Sequence, residues 1–295
     1  MIKLRHLVEY GLLRAFVGMI DRLPHAGASW LVERLAHLWF VVDRNRRRVA
    51  RDNILRSGIE SDPQRALDLA LRSAQHMGLV AIESLKSAEL LEDGRWREHV
   101  TLRLAPDVEA VLNDPEQALI MVSGHFGNWE LAAQLLSRYK PVAGITRPMN
   151  NPRVEEFVKR RKPRYGFRTI PKSASDPQRL LAVLKDKEIL ALLTDQHAHA
   201  GGMRVDFFGH PAATHKTAAM LHLVTRAPLC FAACRRTGPL HFELFSSPLI
   251  QHAPTGKKQD DVRHILETIN HHLEEAIRTA PDQYLWGHRR WRDPK

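Results

Sequence analysis

The chain reads as an α/β protein with a mainly parallel central sheet flanked by helices, preceded by an N-terminal amphipathic helical region. Three observations lead there. Residues 1 to about 95 carry helical periodicity almost without interruption; from about 117 onward, short apolar runs alternate with helical ones; and those runs are apolar throughout rather than alternating, as in strands buried on both faces. Such alternation of strand and helix is the signature of βαβ units and a parallel sheet. We therefore divide the chain into a helical, membrane-associating region, 1–95, and an α/β domain, 96–295.

The first segment, "MIKLRHLVEYGLLRAFVGMIDRLP", sets Leu4, Leu7, Val8, Leu12, Phe16, Met19 and Ile20 on one stripe, with Lys3, Arg5, Glu9 and Asp21 off it. Arg14 interrupts the longest apolar stretch, which falls short of the roughly 20 clean residues of a bilayer span. No small-residue cleavage site follows, so a signal peptide is not expected. "WLVERLAHLWFVV" (30–42) then runs into "DRNRRRVAR" (43–51): aromatic, aliphatic, then basic, the composition of a helix lying in a membrane interface. The alternative for each helix is packing on the protein's own core. Asp62 and Pro63 open a further helix, 62–85.

In the second region the strands are expected at "ALIMVSG" (118–124), "PVAGITR" (141–147), "FRTIP" (167–171) and "EILALLTD" (188–195). Helices are expected at 128–139, 151–162 and 176–186. A glycine-bearing loop (200–210), a helix beginning near Thr214, two β-rich runs (227–236 and 240–248), a helix over 260–280 and a basic aromatic tail complete the order.

The charge of +11 is clustered in "DRNRRRVAR", "KRRKPR" (159–164) and "HRRWR" (288–292), which suits anionic lipid, acidic substrates or carriers, or nucleic acid. Cys230 and Cys234 are the only cysteines. Four residues apart on one strand, they share a face too far apart for a disulfide, and a lone C-x3-C does not supply a zinc site. His197, His199, His210 and His215 invite a metal reading, but without a carboxylate at metal spacing no metal or other cofactor is expected.

The chemistry is expected at "SGHFGNWE" (123–130). The spacing H-x4-[DE] means little alone: 17 histidines and 33 acidic residues in 295 positions give about two chance occurrences, and two are found, at His125 and His288. Position decides. His125 ends a parallel strand, where open α/β sheets place their ligand crevices. Asn128 is a credible N-cap, and Glu130 falls in the first turn of the next helix, from which it can reach back to His125. A histidine held by a carboxylate has a fixed tautomer and raised basicity, suiting a general base that takes a proton from an alcohol. Ser123 lacks a nucleophile elbow, so direct attack by a substrate hydroxyl on an activated acyl group is expected, with the oxyanion held by N–H groups around Gly127 and Asn128 or by Arg147.

"SGHFGNWE", "ITRPMNNP", "TDQHAHAGGMRVDFFGHPAATHKTAAML" and "PDQYLWGHRRWR", in this order along the whole chain, resemble the bacterial late acyltransferases of lipid A biosynthesis, within the lysophospholipid acyltransferase superfamily. The resemblance implies a glycerolipid acyltransferase-like fold and a catalytic pair at His125 and Glu130. It implies transfer of an acyl chain from acyl carrier protein, or from acyl-CoA, to a hydroxyl of an anionic glycolipid, at the cytoplasmic face of the inner membrane by a peripheral or singly anchored protein. By the same motifs Arg147, Asn151, Arg164 and Asp195 are substrate-binding, Phe207 and Phe208 wall the acyl groove, and the terminal motif sits on the active-site side of the sheet, at the lipid interface. His197 stands where the family carries the second aspartate of D-Q-D, which leaves another lysolipid or glycolipid open as acceptor. A nucleic-acid-binding protein is the reading from another class; no recognised motif for it appears, and it leaves the amphipathic N-terminus unexplained. Nothing in the sequence demands a dimer.

Overall fold

The computed structural model describes residues 4–87, 91, 94, 96–161, 167–172, 176–198 and 201–292. Four helices come first: α1 (Leu4–Arg22), α2 (His25–Val42), α3 (Arg44–Ser57) and α4 (Pro63–Leu85). Asp43 and Asp62 cap α3 and α4, each accepting from a backbone N–H three residues on. The buried stripe of α4 runs Ala66, Leu69, Ala70, Ser73, His76, Val80 and Glu83, at helical spacing. Two ionisable side chains therefore lie on a face otherwise built of small and apolar groups.

After the single turn α5 (Trp96–His99) come β1 (Val100–Arg103), α6 (Pro106–Asn113), β2 (Leu119–Ser123), α7 (Trp129–Leu136), β3 (Val142–Thr146), α8 (Pro152–Arg161), β4 (Phe167–Pro171), α9 (Pro177–Lys185) and β5 (Ile189–Leu193). The chain continues through β6 (Met203–Phe207), β7 (His210–Thr214), α10 (Thr217–Thr225), β8 (Leu229–Gly238), β9 (His241–Ser246), α11 (Lys258–Thr279) and a 3₁₀ turn, Pro281–Gln283.

Seven strands form one sheet in the order β1-β9-β8-β2-β5-β3-β4. Only the β8–β9 pair is antiparallel. Successive side chains point to opposite faces, so each central strand feeds two cores. Ile120 and Val122 of β2 join Leu190 and Leu192 of β5 and Phe231 of β8 against α9 and α11; Leu119, Met121, Ile189, Cys230 and Ala232 face α6 and α7. The first core also takes in Phe40, Ala50, Ile54, Leu69 and Ala70, so helices of the N-terminal region pack into the same apolar body as the sheet. Both cysteines share the α7 face, as their spacing requires.

The stretch read as a glycine-bearing loop is instead a separate hairpin, β6–β7, in which Val205, Phe207, Ala212 and Thr214 point inward. Phe207 and Phe208 are buried among Tyr284, Trp286 and Trp291. They belong to the main core. Trp286, expected at a lipid interface, is buried with its indole N–H donated to the Pro281 carbonyl.

Candidate active site

β2 lies between β5 and β8. The connection leaving β2 crosses to β3 beyond β5, while the chain leaving β5 crosses back over β2 to β8, so the carboxyl ends of β2 and β5 flank the point where the winding changes direction. That is where a doubly wound sheet opens a crevice. His125 follows β2 and Asp195 follows β5, and the two meet there. Asp195 grips the histidine twice: Oδ1 accepts from the ring Nδ1 at 2.8 Å, and Oδ2 accepts from the backbone N–H of His125 at 2.8 Å. With Nδ1 protonated toward Asp195, the lone pair is left on Nε2, which lies 3.4 Å from Gln196 Nε2.

From sequence Glu130 is expected as the carboxylate that orients His125, and Asp195 among the substrate contacts. In the structure Asp195 takes the Nδ1 hydrogen bond, and Glu130 acts on His125 by its charge. Burial by itself pulls the imidazole pKa down. The Asp195 charge, the hydrogen bond and the Glu130 charge together outweigh burial and raise it above the ordinary histidine value. Burial likewise pushes Asp195 up, but the His125 charge, the two bonds to His125 and the Arg290 charge hold its carboxyl below the ordinary range.

The turn 124–128 is fixed by close backbone approach. Gly127 has φ of 58°, and a Cβ there would stand 2.1 Å from the Cys234 carbonyl oxygen, so only glycine fits. Its N–H donates to the Gln283 carbonyl, and the Asn128 N–H donates to the Cys234 carbonyl. The N–H groups of Gly127 and Asn128 themselves are therefore engaged in holding the turn. Asn128 caps α7 through Oδ1, and its amide donates to Glu83, which is ion-paired with Arg236 at 2.8 Å. The Gly127 carbonyl lies 3.3 Å from His76 Nε2, and burial drives His76 to a pKa of about 4.

From the other side, the terminal segment straps the site. The Leu285 N–H donates to the His125 carbonyl, and the buried Tyr284 hydroxyl, its pKa pushed well up first by burial and then by the Asp195 charge, feels that carboxylate. Arg290, buried, donates to the Ala213 carbonyl and to Thr214 Oγ1. His288 accepts the His197 N–H, and burial pulls its pKa to about 4, so its ring is neutral.

Asn151 is buried, and its amide donates to the His6 carbonyl and to Glu9 of α1, fastening that helix to α8. Arg147 is exposed and follows Thr146, which lines an apolar cavity beside the site. Arg164 and His199 lie outside the described residues. Among the described residues, no group of three or more His, Cys, Asp or Glu is placed to hold a metal ion. Both cysteine thiols are pushed far up by burial, which suits packing and not nucleophilic attack. Glu83, His76, Tyr284 and Arg290 escaped assignment. Glu83 and His76 had a signal, being ionisable residues on an apolar helical stripe; Tyr284 and Arg290 lay in a quoted motif whose contact with Asp195 only the fold supplies.

The apolar cavity runs down the α7 face of the sheet. Ser123, Thr146 and Leu193 ring its upper level, Met121, Gly144 and Ala191 the next level down, and Trp129, Glu130, Ala133 and Leu136 form the wall from α7. The Ser123 hydroxyl is buried there without a hydrogen-bond partner. The cavity measures about 90 Å³.

A carboxylate-held imidazole thus stands at the carboxyl end of a parallel strand, beside an apolar cavity, an arrangement able to take a proton from a hydroxyl. The class of the chain is that of the acyltransferases. Residues 1–293 match the family described as bacterial lipid A biosynthesis acyltransferase, and the chain belongs to that family. It is 23% identical over 279 residues to the lipid A biosynthesis palmitoleoyltransferase of Escherichia coli (strain K12), covering 92% of this chain and 87% of that protein. It is 25% identical over 201 residues to the lipid A biosynthesis lauroyltransferase of the same organism, covering 67% and 62%. The crystal structure of the 1-acyl-sn-glycerophosphate (LPA) acyltransferase from Thermotoga maritima matches at a TM-score of 0.36 and 11% identity, over 85% of this chain and 98% of that one, too remote to bear on the site.

Proposed function

We propose that the protein moves a fatty acyl chain from the thioester of an acyl carrier protein, or of coenzyme A, to a hydroxyl of a lipid A-type glycolipid precursor. The observation that carries the mechanism is the double grip of Asp195 on His125, which leaves Nε2 as the acceptor of a proton. The substrate hydroxyl gives its proton to Nε2 as its oxygen bonds to the thioester carbonyl carbon. The imidazolium so formed is stabilised by the Asp195 and Glu130 charges. When the tetrahedral adduct collapses, the C–S bond breaks and the departing thiolate takes the proton back from His125, leaving an ester and a free thiol. Glu130 is the electrostatic partner in this scheme, and Arg147, which follows the cavity-lining Thr146, is a candidate to bind the oxyanion or a substrate phosphate. The cavity as it stands has room for the carbonyl end of a chain, with Met121, Gly144 and Ala191 below the first methylenes.

Among the described residues, no helix is long and apolar enough to cross a membrane. The exposed apolar side chains concentrate instead on α1 and α2: Leu4, Val8, Leu12, Trp30, Leu38 and Val42 among them. Trp39 lies under Arg46 at 5.3 Å. An apolar face edged by cation-capped tryptophans suits a protein lying on an anionic leaflet, which supports peripheral attachment to the cytoplasmic face of the inner membrane.

The test is acyl transfer from labelled acyl carrier protein to a lipid A precursor in membranes carrying the wild-type chain or His125→Ala, read by lipid mass. One added acyl chain with the wild type and none with an equally abundant variant supports the reading. No added chain with either removes the acceptor assignment, and lysolipid acceptors then test the acyltransferase chemistry alone.

A further inference from the structure

Two of the basic clusters, one near each end of the sequence, meet in space. Asn45 and Arg46 at the start of α3 face Arg289 and Arg292 of the terminal segment, and Arg289 Nη2 donates to Asn45 Oδ1 at 3.2 Å. Asn53 of α3 holds the strap in place, its amide donating to the Trp286 carbonyl at 2.8 Å and the His288 carbonyl at 2.7 Å. Between them lies a pocket of about 390 Å³, which Gln196 and His288 also line. Three arginines line it, the Arg46 guanidinium also lying over the Trp39 ring at 5.3 Å, and among the described residues that line it there is no carboxylate. Asp43 pairs with Arg46 at 3.5 Å and takes up part of one of the three charges. The pocket opens beside the reacting nitrogen, since its wall residue Gln196 is the one 3.4 Å from His125 Nε2. The apolar cavity lies on the α7 face of the sheet, lined by Trp129, the residue whose ring meets that of His125 edge-on at 5.0 Å. His125 is thus served by an apolar cavity and by a separate cationic pocket.

We propose that the pocket formed by Arg46, Arg289 and Arg292 is a phosphate-binding subsite that seats a phosphorylated substrate with its reacting group at His125. Guanidinium is the group suited to it: planar, permanently charged, and able to meet two phosphate oxygens at once. Two substrates can bring such a group, a glycolipid acceptor with a sugar phosphate or a donor with the phosphodiester of a pantetheine arm. Which one does so rests on the acyltransferase reading; the existence of the subsite does not.

The experiment uses the full chain in detergent micelles and compares wild type with Arg46→Gln, with the Arg289→Gln/Arg292→Gln double variant, and with Lys185→Gln, a loss of one charge, equal to that of Arg46→Gln, at an exposed site on α9. In the equilibrium arm, which needs no turnover, the resting protein is titrated calorimetrically with glucosamine 6-phosphate, coenzyme A and unphosphorylated glucosamine. The phosphate compounds are expected to bind, glucosamine not to, and the double variant to lose about tenfold or more in affinity, the scale of one charge-assisted hydrogen bond. In the kinetic arm the KM that rises with little change in kcat names the substrate: the acceptor's if a sugar phosphate sits there, the donor's if the pantetheine phosphate does. An acceptor stripped of its phosphate is then turned over alike by wild type and variants. Equal binding of the sugar phosphate by wild type and double variant, or a loss shared by Lys185→Gln, overturns the subsite. Binding that depends on these arginines in a chain that acylates no lipid A precursor leaves the subsite standing and removes the acceptor assignment.

Discussion

Asp195→Asn is the substitution that interrogates the site most directly, because it keeps the size of a side chain only 3% exposed and alters one atom of its grip on His125. The carboxylate accepts two hydrogen bonds of 2.8 Å, one from ring Nδ1 and one from the backbone N–H. An amide has one acceptor and one donor to offer. With its oxygen toward the backbone, its NH2 faces Nδ1, which must give up its proton; the hydrogen moves to Nε2 and the base is lost. With its oxygen toward the ring, the tautomer survives, but a buried N–H faces an NH2 group at a cost of about 1–3 kcal/mol, and the imidazolium loses its nearest negative charge. Either orientation removes most of what a positioned base supplies, so kcat is expected to fall about 10²- to 10⁴-fold with KM little changed. The wild-type rate should decline as pH falls through a His125 pKa above 6.5, and the residual activity of Asp195→Asn should persist to lower pH, because burial then acts with less opposition. The stability term has the opposite sense: a raised histidine pKa contributes stability that is complete below pH 6.5 and lost as pH rises through the folded-state value, and the variant should lack it. The assay is acyl transfer at saturating substrates across pH, with a thermal melt as control. A kcat within tenfold of wild type with an unmoved inflection would refute the claim that Asp195 sets the tautomer.

Four further outcomes follow from the same geometry. Gly127→Ala should destabilise the fold by about 3 kcal/mol or more in denaturant unfolding, because it adds a positive-φ penalty to a Cβ 2.1 Å from a carbonyl oxygen. Glu83→Ala strands the partly buried Arg236 beside the α7 cap and should cost about 3–5 kcal/mol by the same measurement, where an exposed ion pair would cost under about 1 kcal/mol. His76 and His288, both pulled to about 4, bind protons in the unfolded chain before the folded one does, so stability should decline as pH drops from 6.5 toward 4; a flat melting temperature across that window would count against their burial. Gly144→Val places a Cβ 3.3 Å from the Phe167 ring at the deeper level of the apolar cavity, and competition between acyl donors of different length should shift toward the shorter; an unchanged preference would move the acyl chain elsewhere.

The parts of the fold legible in sequence are those where one force dominates. β2 and β5 read as strands because both their faces are buried, which makes "LIMVS" and "ILALL" unbroken apolar runs with polar stops. The hairpin β6–β7 did not, because its outward positions hold Arg204, Asp206, His210 and Pro211 around a glycine turn, a composition that resembles a loop until its partner strand is known. β1 is only four residues at the sheet edge and rests on the distant β9, so its pairing is wholly tertiary. At the site, His125 was legible because strand end, glycines and cap residue are consecutive. Its Nδ1 partner was not, for sequence favours the carboxylate five residues away over one seventy residues away, whereas adjacent parallel strands bring their ends together whatever their separation in the chain. Register settles it: Ser123 pairs with Leu193, so residues two beyond each strand are neighbours across the crevice.

The terminal segment, polar and aromatic in sequence, packs its Tyr284, Trp286 and Arg290 into the interior of the structure. A buried aspartate kept ionised must be supplied with hydrogen bonds and opposite charge. His125 gives Asp195 both bonds, and the chain adds to them from its far end: the Arg290 charge acts on Asp195, and the Leu285 N–H donates to the His125 carbonyl. Arg290 is in turn fixed by Ala213 and Thr214 of the hairpin. Anchoring at Trp286 and Arg290 leaves Arg289 and Arg292, on either side, facing outward beside α3. One short strap therefore both holds the carboxylate that orients the base and presents cations to whatever approaches it. The two proposed roles fall on adjacent residues of the same segment, so Trp286→Ala should impair both, lowering kcat and raising the KM of the phosphorylated substrate together, whereas the Arg289→Gln/Arg292→Gln pair should move KM alone.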